Sequence, residues 1–214
     1  MGWLAPLADN LMTQEQSRAF HRALSKVGIE DPAQAPIFLR ILAHCPAFLK
    51  DVSMNLHREI FNDGPLPSRS KLLLATVTAA HRANSEIAAF FADLSRQAGF
   101  SNEEIYEAIG IAATTTSFNC YHKFRSFAGT DAFDGINVGL RARPLINPSL
   151  GPALAELINL VISTLNGCSS CVSSHLQTAM TVDVTADQID EAIRTAAIVS
   201  SICQFVASSE YYRP

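Results

Sequence analysis

The sequence predicts an all-α fold. Apolar residues recur at helical spacing along most of the chain, and no stretch alternates with the period of two that a strand would have. Three Ser/Thr-x-x-Glu/Gln boxes also stand ahead of apolar runs: Thr13 with Gln16, Ser101 with Glu104 and Thr185 with Gln188. The chain has 214 residues, 48% apolar and 17% charged, which suffices for a sizeable core and excludes a disordered chain. Ten Gly and ten Pro exclude collagen-like and low-complexity sequence. A net charge of −4 leaves no basic footprint for nucleic acid. The mean hydropathy of +0.15 is high for a monomer, so apolar faces buried between subunits, and hence a homo-oligomer, are expected.

The first helix opens at Thr13-Gln14-Glu15-Gln16 and turns Phe20, Leu24 and Val27 to one side. Pro32 and Pro36 then punctuate the chain. Phe38, Leu39, Leu42 and Phe48 continue as apolar helix or loop around Pro46, and Val52, Leu56 and Ile60 form one stripe. Asp63-Gly64-Pro65-Leu66-Pro67 is a clear break, so residues 1–62 read as an N-terminal helical extension and 63–214 as the main domain. An almost continuous apolar helix follows over 72–80, and another over 87–94 is stopped by Gly99. The Ser101 box opens a helix over 105–115. Residues 126–150, rich in Gly, Asp, Asn and Pro, read as a long linker. Helices are then expected over 153–165, over 168–180, and from Thr185 to about Val206.

The main domain reads as an internal repeat, with copies over 68–125 and 150–208. Lys71-Leu72-Leu73 can be laid on Glu156-Leu157-Ile158 and, one gap later, Ser101 to Ile109 on Thr185 to Ile193. Shared features are Ile105 with Ile189 and Glu107-Ala108-Ile109 with Glu191-Ala192-Ile193. This register sets Ala83, Glu86 and Phe90 against Cys168, Cys171 and His175, so only the second copy holds chemistry.

No segment reads as a membrane span: 153–165 is broken by Glu156, Asn159 and Ser163 and falls short of roughly 20 residues. Met1-Gly2-Trp3-Leu4-Ala5-Pro6 has neither the basic nor the extended apolar region of a signal peptide, and Pro6 does not fit a myristoylation pattern. A cytoplasmic location is therefore expected. The five cysteines, Cys45, Cys120, Cys168, Cys171 and Cys203, are an odd set that does not suggest a disulfide scaffold. The terminal Tyr211-Tyr212-Arg213-Pro214 has no assignable role.

Chemistry concentrates in one segment, Asn166-Gly167-Cys168-Ser169-Ser170-Cys171-Val172-Ser173-Ser174-His175, with Glu156 upstream. Gly167 suits the left-handed position that ends a helix, which puts Cys168 at the start of the next one. Cys168, Cys171 and His175 then share a helix face at i, i+3 and i+7. A free thiol, with a pKa of about 8.5, is mostly protonated at neutral pH. The unpaired N–H groups of a first helical turn favour the thiolate, and His175, four residues beyond Cys171, can take its proton. Two thiols three residues apart can close a disulfide with little chain movement. Glu156 can orient His175 or relay its proton if the two helices form a tight hairpin. Other readings remain: two cysteines packed as core, or a zinc site that recruits a fourth ligand such as Cys120 or His122.

These residues resemble those of the alkylhydroperoxidase D (AhpD) family, within the carboxymuconolactone decarboxylase-like superfamily. Leu73-Leu74-Ala75-Thr76, Asn147-Pro148 and Thr195-Ala196-Ala197-Ile198-Val199-Ser200 extend the likeness, which covers roughly residues 55–210. The resemblance implies an all-α fold with an internal repeat, assembled as a trimer or a higher oligomer such as a hexamer. It implies a thiol-dependent peroxidase or disulfide reductase acting on a small organic hydroperoxide, with no metal and no cofactor. It also implies a relay of Glu156, Cys168, Cys171 and His175. In the family the dithiol serves a peroxiredoxin partner and is recharged through a lipoylated protein, so a thiol reductant or a peroxiredoxin is the expected partner. One position departs: where the family has a His directly before the second Cys, this chain has Ser170, which can donate a hydrogen bond but is no base near neutral pH.

The expected enzyme is a dithiol oxidoreductase in which Cys171 attacks the peroxide and Cys168 resolves the sulfenic acid, the order of the two sulfurs being open. Two alternatives belong to other classes: a lactone decarboxylase like the superfamily's namesake, and a non-enzymatic helical oligomer with inert thiols. His81, Asn119, Cys120 and His122, in the first copy, read as structural; Cys120 and His122, two apart, do not face each other on a helix. Cys45, beside His44, and Cys203, on the stripe Ile198, Ile202, Phe205, also read as structural.

Overall fold

The computed structural model describes residues 4–210, so the extreme N-terminal residues 1–3 and the terminal Tyr211-Tyr212-Arg213-Pro214 lie outside the described residues. The described chain is all-helical, without strands. Helix α1 spans Gln14–Lys26, α2 Ile37–Leu42 and α3 Pro46–Asn55, the last continuing as a π-helical turn, Leu56–Phe61. Then come α4 (Ser68–His81), α5 (Ser85–Gln97), α6 (Asn102–Ala128), α7 (Pro152–Leu165), α8 (Ser169–Thr181) and α9 (Ala186–Glu210).

The capping boxes form as the sequence predicts. Thr13 and Gln16 exchange side-chain and backbone bonds at α1, as do Ser101 and Glu104 at α6 and Thr185 and Gln188 at α9. The stretch around Pro46 becomes two helices, with Pro46 in the first turn of α3, where its missing N–H costs nothing.

Two helices outrun their sequence expectations. α6 does not stop at Thr115 but runs to Ala128, so the linker begins at Gly129, whose φ of +61° ends the helix. The polar run that looked like an ending is absorbed: Thr114, Thr115 and Thr116 each donate the side-chain hydroxyl to the carbonyl four residues back, on Gly110, Ile111 and Ala112. α9 continues past Val206 to Glu210. Its Ala186–Ser209 portion, which holds an 18-residue window of mean hydropathy 1.2, is long and apolar enough to cross a membrane, contrary to the expectation that no segment is. It packs as a core helix: Ile189, Ala192 and Ala196 join one cluster and Val199, Ile202, Cys203 and Val206 the other.

Those two clusters organise the molecule. The first unites Phe20 and Leu24 of α1, Phe38 and Leu42 of α2, and Leu49 and Val52 of α3 with Ile87 and Phe91 of α5 and the C-terminal half of α9. The second gathers α6, α7, Ala179 of α8 and the N-terminal half of α9. α4 runs between them, with Leu72, Ala75 and Ala79 in the first and Leu73, Leu74 and Val77 in the second. From Lys71 to Ala79 every residue of α4 is buried, so this stretch is covered on all sides. Residues on both sides of position 62 thus share one core.

Lys71, fully buried at the start of α4, donates from Nζ to Glu191 Oε1 of α9 at 3.0 Å and to the Asn62 carbonyl. The other oxygen of Glu191 accepts the N–H of Leu66 at 2.6 Å, and the carboxylate lies against Gly64, where a Cβ would stand 2.2 Å from Oε1.

The helices of the main domain recur at a constant interval. Ser68 to Pro152, Ser85 to Ser169 and Asn102 to Ala186 are each separations of 84 residues. The joints match: Ala83 and Gly167 both have left-handed φ, +55° and +64°, and the next N–H bonds back at 3.1 Å, Asn84 to Ala79 and Cys168 to Ser163. At this interval Asn84, Ile87 and Phe91 stand where Cys168, Cys171 and His175 do. The sequence alignment sets Ala83, Glu86 and Phe90 at those places, an offset of 85, whereas the helix starts follow an offset of 84.

Candidate functional site

The site forms at the joint between α7 and α8. Asn166 caps α7, Gly167 takes the left-handed turn, and Cys168 is the N-cap residue of α8. That places Cys171 in the first helical turn, where the free N–H groups favour an anionic sulfur. Cys168 and Cys171 are joined as a disulfide, with Cα atoms 5.3 Å apart, inside the ordinary range for such a bond. Both are buried, at 1% and 7% exposure, and Cys171 lines a cavity whose lining does not include Cys168.

That cavity has a volume of about 330 Å³. From α8 it is lined by Ser170, Cys171, Ser174 and His175; from α6 by Thr115, Phe118, Asn119 and His122; Leu145 of the linker completes it. Phe118 and Leu145 supply apolar wall, and the imidazoles of His122 and His175 supply the titratable groups beside the sulfur. Ser170 also comes within 3.7 Å of Cys168 Sγ through its Oγ.

His175 is fixed from behind. Its Nδ1 is 2.8 Å from Glu156 Oε2, with the two side chains 22% and 17% exposed. A ring nitrogen that donates to a carboxylate leaves the other, Nε2, as the acceptor. Glu156 Oε1 accepts from Asn159 Nδ2 at 3.1 Å, and Asn159 Oδ1 accepts from Thr115 Oγ1 of α6 at 2.6 Å. A second cavity, about 440 Å³, lies on the other side of Glu156 between the linker, α7 and α8; Leu145 borders both.

The structure thus gathers Glu156, Cys168, Cys171 and His175 at one place. It also brings in residues that the sequence reading set aside as structural. His122 and Asn119 stand on the cavity wall, while Cys120 is exposed and outside it. The signal was a helical one: Thr115, Asn119 and His122 follow i, i+4, i+7 on α6, a face visible only once the helix continues past Thr115. Among the described residues no group of three or more His, Cys, Asp and Glu is arranged to hold a metal ion. Cys203 is buried in the first cluster, and burial pushes its thiol up to about 12. His81 contacts Thr116 Oγ1, and burial, aided by the neighbouring Arg82 charge and opposed by a hydrogen bond with Asn166, holds its imidazole below the ordinary histidine value.

A family model described as the Carboxymuconolactone decarboxylase family matches residues 131–213, which include α7, α8 and both cysteines. The chain is 32% identical over 155 residues to "Alkyl hydroperoxide reductase AhpD" of Anaeromyxobacter dehalogenans, covering 72% of this chain and 82% of the relative. It is 30% identical over 177 residues to the protein of that name in Mycobacterium bovis, covering 82% and 97%, and 31% identical over 166 residues to that of Mycobacteroides abscessus, covering 76% and 91%.

Proposed function

The chain belongs to the alkyl hydroperoxide reductase AhpD family, and from that membership we propose that it is a thiol-dependent peroxidase reducing organic hydroperoxides through Cys168 and Cys171. The observation that carries the reading is the shared cavity of Cys171 and His175, with His175 held by Glu156 at 2.8 Å.

In the reduced dithiol, His175 Nε2 takes the Cys171 proton. The thiolate attacks the terminal peroxide oxygen and the O–O bond breaks. Cys171 becomes a sulfenic acid, and the departing alkoxide takes the proton from His175 and leaves as the alcohol. The Cys168 thiol then attacks the sulfenic sulfur and releases water, giving the disulfide that the two residues form here. An external dithiol attacks the disulfide at Cys171, the sulfur on the cavity, is itself oxidised to a disulfide and restores the two thiols; a peroxiredoxin partner, in its oxidised form, instead takes electrons from the restored dithiol. Cys171 is assigned as the attacking sulfur because it lines the cavity and Cys168 does not.

Three accompanying proposals concern the chain as a whole. The 84-residue interval, the matched joints and the paired glutamates Glu107 and Glu191 support an internal duplication. Exposed Tyr106, Phe124, Phe127, Ile136 and Ile146 support a homo-oligomer, a trimer or hexamer, which light scattering on the purified protein tests. Location in the cytoplasm follows from the family.

The deciding experiment counts free thiols before and after one equivalent of cumene hydroperoxide. The parent loses two thiols, and Cys171→Ser loses none. Peroxide turnover that persists in Cys171→Ser overturns the assignment. A lactone decarboxylase, the reading that the matched family's description favours, would work unchanged in Cys168→Ser and Cys171→Ser.

A further inference from the structure

We propose that Thr115 and Asn159 are positioning residues that fix the Glu156 carboxylate toward His175, so that the helix forming the far wall of the cavity also sets the reactivity of Cys171. This rests on the peroxidase reading above and deepens it.

The chain of bonds crosses from α6 to α8 through α7. Thr115 Oγ1 donates to Asn159 Oδ1 at 2.6 Å, Asn159 Nδ2 donates to Glu156 Oε1 at 3.1 Å, and Glu156 Oε2 faces His175 Nδ1 at 2.8 Å. Thr115 and Asn159 are each 2% exposed, so their polar atoms rely mainly on each other and on neighbouring protein groups. The order of the bonds carries meaning. An amide side chain can present either its oxygen or its nitrogen to a neighbour. With the oxygen held by the Thr115 hydroxyl, only the nitrogen is left for Glu156. The carboxylate is thereby offered a donor on each oxygen, one from Asn159 and one from His175. Without the hydroxyl, Asn159 is free to turn and set oxygen against oxygen, which drives the carboxylate from its place behind the imidazole. An imidazole that loses its orienting carboxylate is a poorer base.

Packing alone does not account for the arrangement. The Thr115 hydroxyl shares its single proton between the Ile111 carbonyl of its own helix at 2.9 Å and the nearer Asn159 Oδ1 at 2.6 Å, so the bond to α7 is the shorter of the two. Thr115 is also a lining residue of the cavity, whose titratable lining groups are His122 from α6 and Cys171 and His175 from α8, with Glu156 of α7 behind His175 on the second cavity. The variants below leave His122 untouched.

The test is the pH profile of iodoacetamide alkylation of Cys171 in the reduced full-length protein. It is read by site-resolved mass spectrometry so that exposed Cys120 does not contribute. Thr115→Val keeps the shape and loses the hydroxyl; its midpoint moves to higher pH, and alkylation at pH 7 slows by about tenfold, the loss typical of a histidine's outer partner. Thr115→Ser restores the parent midpoint, and Asn159→Leu moves it at least as far as Thr115→Val. Circular dichroism melting on each variant separates loss of fold from loss of orientation. Equal midpoints for Thr115→Val, Asn159→Leu and the parent overturn the proposal, and so does a shift that Thr115→Ser fails to reverse. Glu156→Gln separates the two readings. If it shifts the profile while Thr115→Val does not, only the positioning role fails. If Glu156→Gln shifts nothing, the Glu–His activation proposed for the peroxidase fails with it.

Discussion

Glu107 and Glu191, 84 residues apart, make the same bond on opposite sides of the main domain. Glu107 of α6 accepts the N–H of Leu150, just ahead of α7, and Glu191 of α9 accepts the N–H of Leu66, just ahead of α4. Leu66 and Leu150 are themselves 84 residues apart. Each carboxylate therefore clasps the segment leading into the other three-helix set, and the two sets are locked crosswise. The bonds differ in setting. Glu191 is buried with Lys71, whereas Glu107 is half-buried and takes two further bonds from Ser149.

Glu107 gives the chain an acid-sensitive clasp. Burial opposes its ionisation, but the bonds from Ser149 and Leu150 outweigh it and hold the carboxyl below its ordinary value of 4.5. Its contribution is complete above pH 4.5 and disappears as pH falls through the lower value in the fold. Glu107→Gln therefore melts lower than the parent at pH 7 and loses less on going from pH 5 to pH 3. Parallel melting curves across that range would refute the clasp.

Lys71 and Glu191 are 0% and 5% exposed. Removing one partner of such a pair leaves a buried charge without its mate, at a cost of about 3–5 kcal/mol. Lys71→Met falls by that amount in urea denaturation, and adding Glu191→Leu recovers part of the loss. A double variant no better than the sum of the single ones contradicts the pairing.

His81 acts in a different window. Burial and Arg82 hold its imidazole below 6.5, so the fold is taxed as pH drops through 6.5, when the unfolded chain takes up the proton first. His81→Gln melts closer to the parent at pH 5 than at pH 8, or above it. Thermal melts at pH 8, 6.5 and 5 measure the difference.

Cys168→Ser arrests the cycle after the first step. One equivalent of cumene hydroperoxide leaves a dimedone-reactive sulfenic acid on Cys171, and mass spectrometry locates it. If Cys171 carries no label and Cys168→Ser no longer consumes even the first equivalent of peroxide, the order of the sulfurs is reversed.

The elements that the sequence announces are those whose signals are local. Thr13, Ser101 and Thr185 mark helix starts by capping chemistry within four residues, and Gly167 marks the turn ahead of Cys168. Thr114 to Thr116 misled because hydroxyl side chains stop a helix in some settings and bond back along it in others, and only the packed chain selects between them. Ala83 takes a left-handed turn as Gly167 does, without looking like a turn residue, so the sequence offers no mark for that joint. His122 and Thr115 escaped because their nearness to Cys171 arises from α6 lying across α8, a contact that spacing within either helix does not encode.

Gly64 shows how far such a clasp reaches. A methyl group there would press on the tip of Glu191, ordinarily a soft obstacle that swings away. Here the tip is pinned by an ammonium and an amide, so yielding would undo both. Position 64 is thus kept bare by crowding, with no demand on the backbone, and an alanine at this surface turn would unlatch a contact between segments 127 residues apart in the chain.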